Sequence, residues 1–313
     1  MKKHSRRQFL YRTSQATAAV ALMPSFLLQL AKENGFSINI FSKHLQWLDY
    51  AQMAEKVIAI GFDGVDLTVR PGGHVEPARV QEDLPKVVEQ LQKVGLQVET
   101  ITTAIESKDS PFAKEIIQTA GKLGIRYYRM GWINYDNSKP IEQDLKRIKK
   151  QLKDLVDINK QYNIKGAYQN HAGNSFGASI WDLWMVLKEM NSPYLGSQYD
   201  LRHAMVEGFH AWENGFELLA PFINTVTVKD FHFKNQTEGE PLENVPLGEG
   251  IVKWEAFFKK LKAKNIQVPI TLHCEYPLGG AENGNRSLTL PESEVLKALN
   301  QDLTILKSFI KKA

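Results

Sequence analysis

Eight times after residue 35, a short apolar or β-branched run gives way to an amphipathic stretch of ten or more residues. Such runs read as strands, and stretches with apolar positions three and four apart read as helices. The strand segments are 36–41, 64–69, 97–105, 126–131, 164–170, 195–200, 223–230 and 268–276. Helices are read over 48–60, 77–94, 111–123, 141–162, 180–190, 207–219, 254–263 and 292–310. In the first of these, Ala51, Ala54, Val57 and Ile58 make the apolar stripe. Gly61, Gly95 and Gly124 follow helical stretches, where a left-handed closing residue favours glycine. Eight βα units in one chain predict an α/β protein closed into a (β/α)8 TIM barrel. A doubly wound open sheet is the alternative. It calls for a glycine-rich phosphate turn after an early strand, and the chain has none.

The 313 residues suffice for one such barrel, and 43% hydrophobic with 24% charged residues is ordinary globular composition. Net charge is +4, but basic and acidic residues interleave, as between Glu142 and Lys153. That pattern reads as solvated helix faces and not as a nucleic-acid surface.

The first thirty residues differ from the rest. Lys2 and Lys3 precede Ser5-Arg6-Arg7-Gln8-Phe9-Leu10, and an apolar run follows from Ala16 to Leu30, broken by Pro24. A basic segment before an apolar one is the pattern of a secretory signal, and the paired arginines resemble the twin-arginine export signal. The reading is a signal peptide over 1–31, a barrel over 32–313, export to the periplasm, and the twin-arginine machinery as partner. The apolar run falls short of the ~20 residues of a confident membrane span. An uncleaved membrane tether is the alternative to cleavage. The single cysteine, Cys274, suits an exported protein that needs no disulfide. It sits in an apolar strand, so it reads as a buried, inert thiol.

In a barrel of this kind the chemistry lies at the C-terminal strand ends. The fifth strand ends Tyr168-Gln169-Asn170-His171, the sixth Gln198-Tyr199-Asp200-Leu201-Arg202-His203, the seventh Thr227-Val228-Lys229-Asp230-Phe231-His232 and the eighth His273-Cys274-Glu275-Tyr276. The strand interiors read as apolar. Residues two apart share a face, which pairs Gln169 with His171, Gln198 with Asp200, Thr227 with Lys229 and His273 with Glu275. Such a mouth holds the groups needed to remove a proton beside a carbonyl and stabilise the enediolate. For any single group, a structural ion pair or a satisfied histidine is the competing explanation, above all for Asp200 with Arg202 and Lys229 with Asp230.

The ordered set Gln169-Asn170-His171, Asp200-x-x-His203, Val228-Lys229-Asp230 and Glu275 resembles the xylose-isomerase-like barrel family of sugar phosphate isomerases and epimerases. Tyr199-Asp-x-Arg-His203, Pro246-Leu-Gly-Glu-Gly250 and His273-x-Glu-Tyr276 resemble an exported branch of it. The resemblance implies a carbohydrate substrate and a divalent metal (Mn2+, Mg2+ or Zn2+). The family holds that metal with Glu, Asp, His and Glu on strands five to eight, and its epimerases use the two glutamates as acid and base. Those positions fall on Gln169, Asp200, Thr227 and Glu275, so one carboxylate and the imidazole are replaced. Three readings stay open. A metal is held by Asp200, Glu275 and the Gln169 carbonyl, with His171 or His232 substituting. Alternatively the site works without metal, with Lys229, His203 and Arg202 stabilising charge. Or the barrel binds sugar without catalysis.

The expected roles follow. Glu275 is the base. Asp200 ligates a metal or orients His203. His203 and Lys229 polarise substrate oxygens. His171 and Arg202 contact substrate, with His44, Arg70, Trp132 and His232 as further contacts. Phe41, Trp47, Phe176, Trp181, Phe231 and Phe233 are aromatic candidates for stacking on a sugar or for capping the core. The polar segment 231–251 reads as a partial lid. An isomerase or epimerase on a free sugar is the first function class. A lyase or hydrolase that cleaves a keto-glycoside by elimination is second, because it needs one base. A DNA-repair endonuclease of the same barrel type is opposed by the export signal and by the missing ligands of a multi-zinc site.

Overall fold

Strands β1 (Ile38–Phe41), β2 (Gly64–Val69), β3 (Gln97–Thr103), β4 (Tyr127–Arg129), β5 (Lys165–Gln169), β6 (Leu195–Asp200), β7 (Ile223–Val228) and β10 (Ile270–Leu272) pair in parallel and close on themselves in the computed structural model. The structure describes residues 35–236 and 241–313, so the export signal read over 1–31 lies outside the described residues. The barrel shuts where Ile38 faces Ile270 and Ile40 faces Leu272. No edge is left unpaired, which is what closure achieves for a parallel sheet.

Helices wrap the outside: α1 (Tyr50–Ile60), α2 (Val80–Lys93), α3 (Ala113–Lys122), α4 (Ile141–Gln161), α5 (Ile180–Met190), α6 (Leu201–Gly208), α7 (Trp212–Leu219), α8 (Trp254–Ala263) and α9 (Glu292–Lys312). Each long helix buries one stripe. In α4 that stripe is Ile148, Leu152 and Leu155, and in α9 it is Val295, Leu299, Leu303 and Leu306. A capping box joins Asp49 and Gln52 at the start of α1. Gly61, Gly95 and Gly124 all lie at positive φ, as their positions after helices require. No helix of the described residues is long and apolar enough to cross a membrane.

The sequence reading departs from the structure in three places. The helix expected over 207–219 is two helices, and α6 begins directly after β6, because the Asp200 carboxylate caps it by accepting from the His203 amide (3.1 Å). Asp230 is not in the barrel. It opens β8 (Asp230–Phe233), which pairs antiparallel with β9 (Leu242–Val245), so the expected lid is built on a hairpin. The barrel lumen is polar where the strand interiors were read as apolar. Asp66 of β2 accepts from Thr102 of β3 (2.9 Å) and from Thr271 of β10 (3.0 Å), which fixes all three side chains inside. Alternation hid this layer, because Thr and Val both read as strand formers.

Candidate active site

The residues expected at the mouth converge on Glu275. Its carboxylate accepts from Lys229 Nζ at 2.9 Å, lies 3.5 Å from Lys43 Nζ and pairs with His273 Nδ1 at 3.3 Å. Lys229 also lies 3.5 Å from Asp200, so its ammonium bridges two carboxylates while only 4% exposed. Glu275 is 24% exposed, the most exposed of these groups. Burial works against its charge, but Lys229, His273 and Lys43 outweigh that and hold the carboxyl well below the usual glutamate range.

A second chain of contacts runs behind this pair. Arg129 at the end of β4 donates to Gln169 Oε1 (2.9 Å), and Gln169 Nε2 donates to Asp200 Oδ2 (2.8 Å). Asn170 clamps the Asp200 backbone from both sides, its side chain donating to the carbonyl and accepting from the amide at 2.8 Å each. Asp200 is thereby fixed in place, fully buried. Burial, with Arg70 nearby, lowers Arg129 to about 10.

The imidazoles sort by tautomer. Arg202 Nη1 donates to His203 Nδ1 (3.2 Å), so the proton of neutral His203 sits on Nε2, which has no partner and lies 3.7 Å from Asp200. Burial, then Lys229, His171 and Arg202, keep His203 neutral. The His171 ring lies tilted against its neighbours, 3.9 Å from the His203 ring and 4.6 Å from Trp132, and its Nδ1 is spent on the Ala172 carbonyl. Arg129 lies over the Trp132 face at 4.6 Å. His273 donates from Nδ1 to Glu275, which leaves Nε2 as a buried lone pair. Burial pushes its pKa down to about 3.

Other expected contacts fall elsewhere. His44 is fully buried, with Nε2 accepting from the Cys274 amide (2.9 Å) and Nδ1 donating to the Ala281 carbonyl (3.2 Å). Neither nitrogen is left for a substrate, so its expected contact role is replaced by one in joining the β1 and β10 loops. His232 lies on the β8–β9 hairpin, bonded to the Phe233 carbonyl (3.0 Å) and 3.8 Å from Glu243. Arg70 sits over Phe41 (5.5 Å), and Phe41 stacks on His273 (4.2 Å), so Arg70 does reach the mouth. Arg202 donates to Asn244 of the hairpin (2.9 Å), and Asn244 donates to the Glu275 carbonyl (3.3 Å). Lys43, Arg129 and His273 join the site without a role from the sequence. Arg129 ends a three-residue strand and Lys43 lies in the turn after β1, and neither sat in a recognisable motif.

The four metal-ligand positions implied by the resemblance do not form a cage for a divalent ion. The Gln169 oxygen is engaged by Arg129, Thr227 offers a hydroxyl, and the Lys229 ammonium stands between the two carboxylates that remain. Neither His171 nor His232 completes such a set, and among the described residues no group of three His, Cys, Asp or Glu is arranged to hold a metal.

A family model described as the xylose isomerase-like TIM barrel matches residues 54–299, and the chain belongs to that family. Among solved structures it is similar to a probable 3-DHS dehydratase from Bacillus anthracis (15% identity, TM-score 0.64, 86% of this chain and 99% of that one). It is similar also to a 3-keto-D-glucoside 4-epimerase from E. coli (12%, TM-score 0.64, 86% and 99%) and to a D-psicose 3-epimerase from Clostridium cellulolyticum H10 (12%, TM-score 0.65, 88% and 99%). At these identities the likeness is one of fold. Comparison with curated proteins gave no match.

Proposed function

We propose that this barrel is a sugar isomerase- or epimerase-type enzyme that removes a proton from the carbon beside a carbonyl. One observation carries the reading. The ionised carboxylate of Glu275 lies at the opening of a site whose buried polar atoms Trp132 Nε1, His203 Nε2, Thr227 Oγ1 and His273 Nε2 have no partner within the protein. Buried polar groups without partners are costly, so this set suits a ligand bearing many hydroxyls. Glu275 takes the proton and the electron pair moves onto the carbonyl oxygen. The Lys229 ammonium and the His203 Nε2–H stabilise the resulting oxyanion. Passage of the hydroxyl proton between the two oxygens of the enediolate, with return of the carbon-bound proton to the former carbonyl carbon, completes an isomerisation. As substrate oxygens draw Lys229 and Lys43 away from Glu275, the carboxylate recovers basicity.

Gln169 favours a second reading. Its amide is spent on Arg129 and Asp200, so the position of the family's second catalytic glutamate offers no base, and the remaining Asp200 carboxylate is tied to Gln169 and Lys229. A single base and an oxyanion stabiliser suffice for elimination from a keto-glycoside, in which the aglycone leaves from the carbon beyond the enolate. The similar folds include both epimerases and a dehydratase. The divalent metal is supported by family membership alone. The pattern of residues 1–31 supports export in the folded state by the twin-arginine route, with the barrel acting in the periplasm.

Incubation of keto-sugars and keto-glycosides with the protein in deuterated water tests the reading. The wild type is expected to wash deuterium into the position beside the carbonyl, and Glu275→Gln to lose the exchange by about 10²–10⁴-fold. Undiminished exchange in that variant removes Glu275 from the reaction. Release of an aglycone selects the lyase.

A further inference from the structure

We infer that the Lys229 ammonium is the resident cation of this site, built into the chain where relatives of the family hold a divalent metal. The inference concerns charge balance and stands whether or not a sugar is turned over. Two family carboxylates survive, Asp200 and Glu275, and a pair of like charges buried together needs a cation between them. Lys229 supplies it, at 3.5 Å from Asp200 Oδ2 and 2.9 Å from Glu275 Oε2. Strand alternation puts Lys229 on the same face of β7 as Thr227, which occupies the position of the family histidine. The imidazole ligand becomes a hydroxyl, and the lysine of the Val228-Lys229-Asp230 motif, two residues on, reaches into the space between the carboxylates.

The other altered position agrees. As an amide, Gln169 bridges in one direction only: its nitrogen donates to Asp200 and its oxygen accepts from Arg129. A glutamate there would bring a further negative charge to a site already balanced by lysine. Arg129 and Lys43 add positive charge around the same carboxylates. A divalent ion entering between Asp200 and Glu275 would have to displace Lys229 into a region that already holds Arg129, Lys43 and Arg70. Coulomb repulsion in a poorly solvated pocket opposes that displacement strongly.

The test is metal binding, read separately from turnover. The purified full chain is analysed for bound metals and then melted with millimolar Mn2+, Zn2+ or chelator. Well under one equivalent of metal and a melting temperature indifferent to all three are expected. A stoichiometric metal that survives dialysis, with loss of stability on chelation, overturns the inference. The role of Lys229 is isolated in a background where the family ligands are restored, Gln169→Glu with Thr227→His. Adding Lys229→Gln to that pair is expected to tighten Mn2+ binding by roughly tenfold or more. Equal affinity with and without Lys229→Gln overturns the role given to the ammonium. If the multiple variants do not fold, the metal content and chelator response of the wild type decide alone.

Discussion

Asp66 shows how a lumen residue sets a pH dependence that the mouth residues do not. It is fully buried at the strand level below the mouth and accepts from Thr102 and Thr271. Burial raises its pKa to about 6, against the lowering pull of the two threonine hydrogen bonds and of Arg129 and Arg70. A carboxyl raised in this way binds its proton more firmly folded than unfolded. Its contribution thus favours folding as pH falls through about 6 towards the unfolded value, and opposes folding above that. The difference amounts to about 3 kcal/mol at neutral pH. Asp66→Asn is therefore expected to gain stability over the wild type at pH 7.5 and to lose about half of that gain at pH 5, in urea titrations at the two values. An equal difference at both pH values would show that Asp66 titrates normally. The residue scale is also where the sequence was least legible. Glu275, Asp200, His203 and Lys229 were expected at one mouth because they lie at or just beyond strand ends in recognisable order, and the structure brings them together. Arg129 was missed because Tyr127–Arg129 is too short to display alternation, and Asp66 because a polar lumen runs against the expectation of branched apolar layers. His44 was misassigned because nothing in the sequence tells a histidine bonded twice to backbone from one that faces a ligand.

Among the elements, the β8–β9 hairpin is the one that connects outer structure to chemistry. Asp230 anchors its base, accepting from the amides of Phe231 (2.9 Å), Gly248 (3.0 Å) and Val252 (3.2 Å). Gly250 passes so close that an added Cβ would lie 2.1 Å from Asp230 Oδ1. From this base the hairpin carries Asn244 to Arg202 and to the Glu275 backbone. Gly250→Ala is expected to expel the Asp230 carboxylate from its amide cage, at a cost of about 1–3 kcal/mol per group left unsatisfied. Proteolysis within 234–245 should accelerate by tenfold or so, by the same free-energy conversion. Asn244→Ala leaves the cage intact and cuts the links to Arg202 and to the Glu275 carbonyl. It should raise KM more than it lowers kcat, and a fall in kcat alone would assign Asn244 to the chemistry. The alternating strand and helix elements were plain in the sequence because hydrophobic period distinguishes them. The hairpin was read only as a long polar segment. Its second strand, Leu242–Val245, has no apolar alternation to announce it.

At the scale of the whole molecule, the closed barrel was legible from its eightfold repeat, whereas the proposed export of the chain rests on the sequence pattern around Arg6 and Arg7. Replacement of both by lysine is expected to leave the full-length chain in the cytoplasm in fractionation of expressing cells. Unchanged export would assign the N-terminus to another route. The seam that shuts the barrel also bears on how the molecule opens. Cys274 follows β10, buried, with its thiol on Asp302 of α9 (3.2 Å), and Tyr276 donates to the same oxygen (3.0 Å). Burial, and then the Asp302 charge, raise this thiol well above its ordinary value, so it holds almost no thiolate and resists alkylation. Since it is the chain's sole sulfhydryl, labelling by a thiol reagent clocks the separation of the last helix from the last strand, a reporter of barrel opening that the protein already carries.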